Sequence, residues 1–127
     1  MAVVICNQGG GIGAAKAASI LSGGGSALDA VEQGVRLVEA DPENHSVGMG
    51  GWPNLLGQVE LDASIMDGET LRSGAVGALQ GYLHPISVAR QVMERLPHVL
   101  LVGKGAARFA HECAAEAGEL LTAEAAS

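Results

Sequence analysis

Aromatic residues are nearly absent from this chain: Trp52, Tyr82 and Phe109 are the only ones in 127 residues. A core without aromatic bulk must be built from Ala, Val, Leu and Ile, packed closely around small residues. Basic residues are also scarce. Seven Lys and Arg stand against fourteen Asp and Glu, giving a formal charge of −7. That balance argues against a nucleic-acid binder, whose affinity comes largely from neutralising phosphates, and against a partner on an anionic membrane. No stretch approaches the ~20 apolar residues of a membrane-spanning helix. No basic segment followed by an apolar one marks a signal peptide. Cys6 and Cys113 show neither CxxC nor zinc spacing, so two reduced thiols in a cytoplasmic protein are expected rather than a disulfide. His45, His84, His98 and His111 share no metal-ligand spacing. Surface or hydrogen-bonded histidines are expected, with no metal and no cofactor. There is no GxSxG elbow and no cysteine in a catalytic signature, so the chain shows no complete catalytic set of its own.

What the chain has in excess is glycine, with 19 residues, about twice the usual ~7%. Hydrophobic residues make up 48% and charged residues 17%, which excludes disorder. The length suits one small domain.

Met1 to Cys6 is a short β-branched run and predicts a buried strand, in which Cys6 would be inert. A helix is expected from about Ile12 to Ser22, ended by Gly23–Gly25. Ser26 and Asp29 have capping-box spacing for a second helix, with Leu28, Val31, Val35 and Val38 on its apolar face. Residues 41–57 hold two prolines and four glycines and predict a shaped loop. From Gln58 to Met66 the pattern alternates: Val59, Leu61, Ala63 and Ile65 fall on one face of a strand. Asp67-Gly68 signals a type I′ hairpin turn, with a further strand over Ser73–Leu79. Pro85 suits the first turn of a helix that turns Ala89, Val92, Met93 and Leu96 inward. A short strand at Val99–Val102 and a helix from about Gly105 to Ala117 complete the order. This is a mixed α/β (α+β) chain with an antiparallel component.

Two constellations invite a function. Gly9-x-Gly11-x-x-Ala14, before a helix, fits a nucleotide-binding glycine loop. The following element, however, has helical periodicity where a second strand is needed. A tight glycine turn is the better account, and a small nucleotide-binding module is the alternative function. The second is the loop His45 to Asn54, which holds the only Trp. Its glycines leave backbone N–H groups accessible, as an anion or amide site requires.

The segment Ser46 to Gly68, SVGMGGWPNLLGQVELDASIMDG, resembles the glycosylasparaginase and type 2 asparaginase (isoaspartyl peptidase) family of N-terminal-nucleophile hydrolases. That family carries a Ser-Val-Gly-x-Gly-Gly-x-Pro loop, then Leu-Asp-Ala-x-Ile-Met-Asp-Gly. Supporting stretches are Gly24 to Glu32, Gly74 to Gly77, Ile86 to Arg90 and His98 to Gly103, in order along most of the chain. The resemblance implies half of an α-β-β-α sandwich, with 1–127 as the α subunit of a single hydrolase domain. A separate β chain from the same self-cleaving precursor completes it, in an assembly of the (αβ)2 type. The family's nucleophile is a Thr at the β-chain N-terminus, whose α-amino group acts as base. Thr attacks the side-chain amide carbon of asparagine or a β-aspartyl compound, and water releases the acyl group. Thr70 and Thr122 are internal, so no nucleophile is expected here. On the resemblance, Ser46 would hold the nucleophile by a hydroxyl hydrogen bond, and Asn7, Gly50, Gly51 and Trp52 would line the pocket. Glycosylasparaginases have Asn-x-Trp near the first strand. Here Asn7-Gln8-Gly9 lacks that aromatic, and Trp52 is the candidate to wall the pocket from another direction.

Overall fold

The computed structural model describes residues 1–126. Helix α1 (Gly11–Ser22) follows a single 3-10 turn at Gln8–Gly10. Helix α2 (Ala27–Glu39) starts where Ser26 Oγ accepts the Asp29 N–H at 3.0 Å, as the capping spacing requires. Strands β1 (Leu61–Met66) and β2 (Ser73–Leu79) form the expected hairpin. Helix α3 (Pro85–Arg95), strand β3 (Leu100–Val102) and helix α4 (Gly103–Glu112) follow.

The sheet has the order β1-β2-β3, antiparallel between the first two and parallel between the last two. Its inner face carries Leu61, Ile65, Val76 and Leu79, all buried. Helices α3 and α4 cover that face with Val88, Ala89, Val92, Met93, Ala106, Phe109 and Ala110. Helix α2 packs behind α3, and α1 lies on α2. Gly74 lets α3 sit close on the sheet: a Cβ there would lie 2.2 Å from the Ala89 carbonyl oxygen. The outer face is uncovered and partly apolar, with Met66, Leu100 and Val102 each more than half exposed.

A bulge in β2 locally breaks the register. Leu61 pairs with Leu79 and Ala63 with Val76, so two residues of β2 oppose one of β1. Ala78 takes φ +49°, and its N–H finds Asp62 Oδ1 at 2.8 Å.

Three expectations need correction. Residues 1–6 form no strand and are exposed, so Cys6 is not a buried thiol. A strand needs a neighbour to satisfy its backbone, and the described residues give this segment none. The Asp67-Gly68 turn is not a two-residue I′ turn. Asp67 N–H reaches the Arg72 carbonyl, and the Asp67 carboxylate accepts from Glu69 N–H and from the Thr70 hydroxyl, making a wider loop. Finally, α4 ends at Glu112. Beyond it the chain runs irregularly back over the molecule, with a single bridge from Ala117 to Tyr82. No helix among the described residues is long and apolar enough to cross a membrane.

Candidate active site

Between α2 and β1 the chain folds into a loop built on its glycines. Gly48 and Gly50 have φ of +73° and +80°, a region that costs an L-residue ~1–2 kcal/mol. Met49 N–H donates to the Glu39 carbonyl at 2.8 Å, and Gly50 N–H to the Leu120 carbonyl at 2.8 Å. Gly51 N–H donates to the Gly48 carbonyl and Trp52 N–H to the His45 carbonyl, both at 3.1 Å. The His45 ring bonds the Gly50 carbonyl through Nδ1 at 2.7 Å and contacts the Trp52 indole, centroid to centroid, at 4.9 Å. His45 thus ties one limb of the loop to the other.

Ser46 stands at the loop's exposed corner. Its hydroxyl donates to Asn44 Oδ1 at 2.5 Å, and the same oxygen accepts the Ser46 N–H at 3.0 Å. Asn7 approaches this corner from the N-terminal segment. Asn44 Nδ2 and Asn7 Oδ1 both lie within 4 Å of where a Gly9 Cβ would be. Asn7 and Asn44 thus both border Gly9. Gly50 and Gly51 are buried within the loop, whereas Trp52 is 65% exposed. Their hydrogen bonds run to Leu120, Gly48 and His45 rather than to Asn7 or Ser46, so the expectation of accessible glycine N–H groups is corrected: those of Gly50 and Gly51 are buried and already bonded within the protein.

Beneath the loop lies a polar cluster that sequence reasoning missed. Glu39, the last residue of α2, is fully buried. Its Oε1 accepts the Ile86 N–H at 2.9 Å, and its Oε2 pairs with His84 Nδ1 at 3.1 Å. Burial pushes the Glu39 carboxyl up to about 8, against the opposing pull of the Ile86 N–H and the Arg36 charge. Burial, with Arg36, also holds His84 below its usual value. Arg36 bonds Ser87 Oγ at 2.9 Å and the Glu116 carboxylate at 2.5 Å, and Ser87 donates to Glu32. The Arg36 pairing holds Glu116 below the usual carboxylate range. Much of this cluster lines a cavity of about 260 Å³. One signal was present in the sequence: Glu39 falls four residues after Val35, in register with the apolar stripe of α2.

The glycine turn at Gly9–Ala14 lacks the preceding strand of a nucleotide fold, and α2 follows it where a strand belongs. Among the described residues no three His, Cys, Asp or Glu side chains converge to hold a metal ion.

The Asparaginase family model matches residues 13–126, and the chain belongs to that family. It is 56% identical over 105 residues to N(4)-(Beta-N-acetylglucosaminyl)-L-asparaginase of Elizabethkingia miricola, covering 83% of this chain and 31% of that protein. Against the human isoaspartyl peptidase/L-asparaginase it is 54% identical over 91 residues, 72% of this chain and 29% of that one. Against the plant-type L-asparaginase of Pyrococcus furiosus the identity is 54% over 86 residues, 68% and 28% of the two chains. The chain spans about a third of the length of the curated relatives it matches.

Proposed function

We propose that this chain is the α part of an amidohydrolase that cleaves the side-chain amide of asparagine or of β-aspartyl compounds. A Thr at the N-terminus of a β chain, released from a common precursor, is the nucleophile. Its α-amino group takes the hydroxyl proton, and the hydroxyl oxygen attacks the amide carbon. The amine leaves, and water hydrolyses the acyl ester. The α part supplies scaffold and pocket wall. Ser46 steadies the nucleophile through its hydroxyl, while Asn7, Gly50, Gly51 and Trp52 line the site, and two αβ units assemble as (αβ)2.

The observation that carries this reading is family membership joined to the loop geometry. An exposed Ser46 stands beside a glycine turn whose backbone is hydrogen-bonded to α2 and to Leu120. The uncovered sheet face at Met66, Leu100 and Val102 supports a second sheet packed there, completing an α-β-β-α sandwich. The test is to express the complete protein and follow it on denaturing gels, sequence any new N-terminus, and assay amine release. Asparagine, β-aspartyl-leucine and N-acetylglucosaminyl-asparagine are the substrates. Two chains, a Thr-initiated second chain and hydrolysis of at least one substrate are expected. An uncleaved protein, or one inert to all three, refutes the proposal.

A further inference from the structure

The glycine loop meets the end of α2 at Glu39. A Cβ on Gly48 would lie 2.0 Å from the Glu39 carbonyl oxygen and 2.5 Å from its Cα, so loop and helix end are in backbone contact. The Glu39 carbonyl also accepts the Met49 N–H. The Glu39 side chain turns the opposite way, to the first turn of α3. There one carboxyl oxygen takes the Ile86 N–H and the other meets the His84 ring. A buried carboxyl is costly unless its oxygens find partners, and a fully partnered one rigidifies what it joins. Here it fixes the end of α2 against the start of α3.

We infer that Glu39 is a positioning residue for the glycine loop, its carboxyl locking the end of α2 to α3 so that its backbone presents Gly48 and Met49 at a set place. The inference rests on reading this loop as part of the catalytic pocket. From Glu39 the linkage continues through Met49 to Gly50, whose carbonyl holds His45, and His45 contacts Trp52. Trp52 is thus a reporter of the clamp. Facing the carboxyl are Glu32 and Arg36 of α2 and His84 before α3, with Glu116 behind His84. At the reporter end stand His45 and Glu124.

At neutral pH the Glu39–His84 pair holds one proton, which satisfies both groups. Losing that proton places a full negative charge in a buried site beside Glu32, and the cost of that desolvated charge weakens the clamp. Glu39→Gln keeps a carbonyl oxygen for Ile86 and an N–H for His84, but has no proton to lose.

The experiment uses the complete protein labelled with 5-fluorotryptophan, the Trp52 resonance being assigned by its loss in Trp52→Phe. In the wild type that ¹⁹F resonance should shift or broaden as pH passes about 8, and the fall in kcat should track it. In Glu39→Gln the resonance should match the wild type at pH 7 and stay fixed to pH 9. In Glu39→Ala it should be displaced at every pH, and kcat should fall roughly ten-fold, the scale of one stranded buried donor, with KM changing less. If Glu39→Ala does not fold, the pH response of Glu39→Gln decides alone. A titration that survives in Glu39→Gln belongs to His45 or another group and overturns the inference. A wild-type resonance indifferent to pH between 7 and 9 overturns it too, as does an alanine variant that leaves resonance and kcat unchanged. If the wild type hydrolyses none of the amides, the functional reading fails while the resonance still judges the clamp.

Discussion

Gly48 and Gly57 lie nine residues apart with the same backbone angle, φ +73°, yet in opposite surroundings. A Cβ on Gly57 meets nothing within 4 Å, whereas one on Gly48 lands 2.0 Å from the Glu39 carbonyl oxygen. Alanine at the two sites therefore separates the cost of the angle from the cost of the contact. At Gly57 only the left-handed conformation is penalised, at ~1–2 kcal/mol, partly offset by ~0.4–1 kcal/mol from a stiffer unfolded chain. A net loss of about 1 kcal/mol is expected. At Gly48 the new methyl must retreat by about 1.4 Å to reach ordinary contact at 3.4 Å. That movement breaks the Met49 N–H bond to Glu39 and strands a carbonyl, adding ~1–3 kcal/mol. Gly48→Ala should therefore cost roughly 2–4 kcal/mol. Urea denaturation of the complete protein measures both, with unchanged m-values showing that the unfolded ensembles match. Gly48→Ala should also slow amide hydrolysis, which Gly57→Ala should not. Equal stability losses at the two positions would refute the claim that the loop is in backbone contact with α2.

The pH dependence of stability follows from Glu39 and His84 together. Between about pH 6.5 and 8 the unfolded chain holds neither proton while the folded chain keeps one on Glu39, raised to about 8. Stability therefore falls as pH rises through this window, by at most about 1.4 kcal/mol per unit. Subtracting Glu39→Gln should remove that limb from urea titrations, and a limb that survives places the titration elsewhere. Ser46→Ala removes a hydroxyl bonded to Asn44 at an exposed corner. It should slow turnover or self-cleavage while lowering stability by no more than ~0.5–1.5 kcal/mol, and normal processing with normal kcat would make Ser46 a mere loop residue. Trp52→Ala loses the His45 contact but little burial, since Trp52 is 65% exposed. It should change stability little and raise KM for the substrate it walls, measured by comparing kcat/KM across asparagine, β-aspartyl-leucine and glycosylated asparagine. Equal effects on all three would deny it a selective role.

Local rules predicted the parts of this fold whose stabilisation is local. The Ser26 cap, the period of α2 and the alternation of β1 each depend on neighbours within a few residues. The structure has the cap and the alternation where the pattern puts them, whereas on α2 the buried positions are Ala30, Gly34 and Glu39 and the expected Val31 is 48% exposed. Position 85 likewise starts α3 because proline fits a first turn. The N-terminal run failed for the opposite reason. Its β-branched residues favour a strand, but strand formation depends on a paired edge elsewhere, which no local pattern reports. The hairpin turn failed because a side chain overrode the dipeptide signal: Asp67 holds Glu69 and Thr70 and enlarges the loop. At the site, the glycine loop was legible as a motif and Ser46 as its corner. Glu39 was not, because a glutamate ending a helix is ordinarily a solvated charge. Only tertiary contact with Ile86 and His84 makes it a buried clamp.

The shortage of aromatics and the surplus of glycine have a common cause in the packing. Where large rings usually fill the space between elements, this chain brings backbones together instead. Helices α1 and α2 cross at Gly13 and Gly34, where a Cβ on Gly13 would lie 2.1 Å from the Gly34 carbonyl oxygen. Strand β2 meets α3 at Gly74, and the loop meets α2 at Gly48, with similar clearances. Each crossing leaves no room for a methyl, so each is intolerant of substitution in a way a Leu-filled interface is not. Close backbone contact also transmits position with little slack, since a carbonyl cannot change rotamer as a side chain can. The Gly48 contact lies between the buried Glu39 clamp and the corner that carries Ser46. On the proposed function, in which the Ser46 hydroxyl steadies the nucleophile, a loop seated on main chain would keep that hydroxyl in one place. The same geometry leaves no room for a side chain at Gly48, where a Cβ would lie 2.0 Å from the Glu39 carbonyl oxygen.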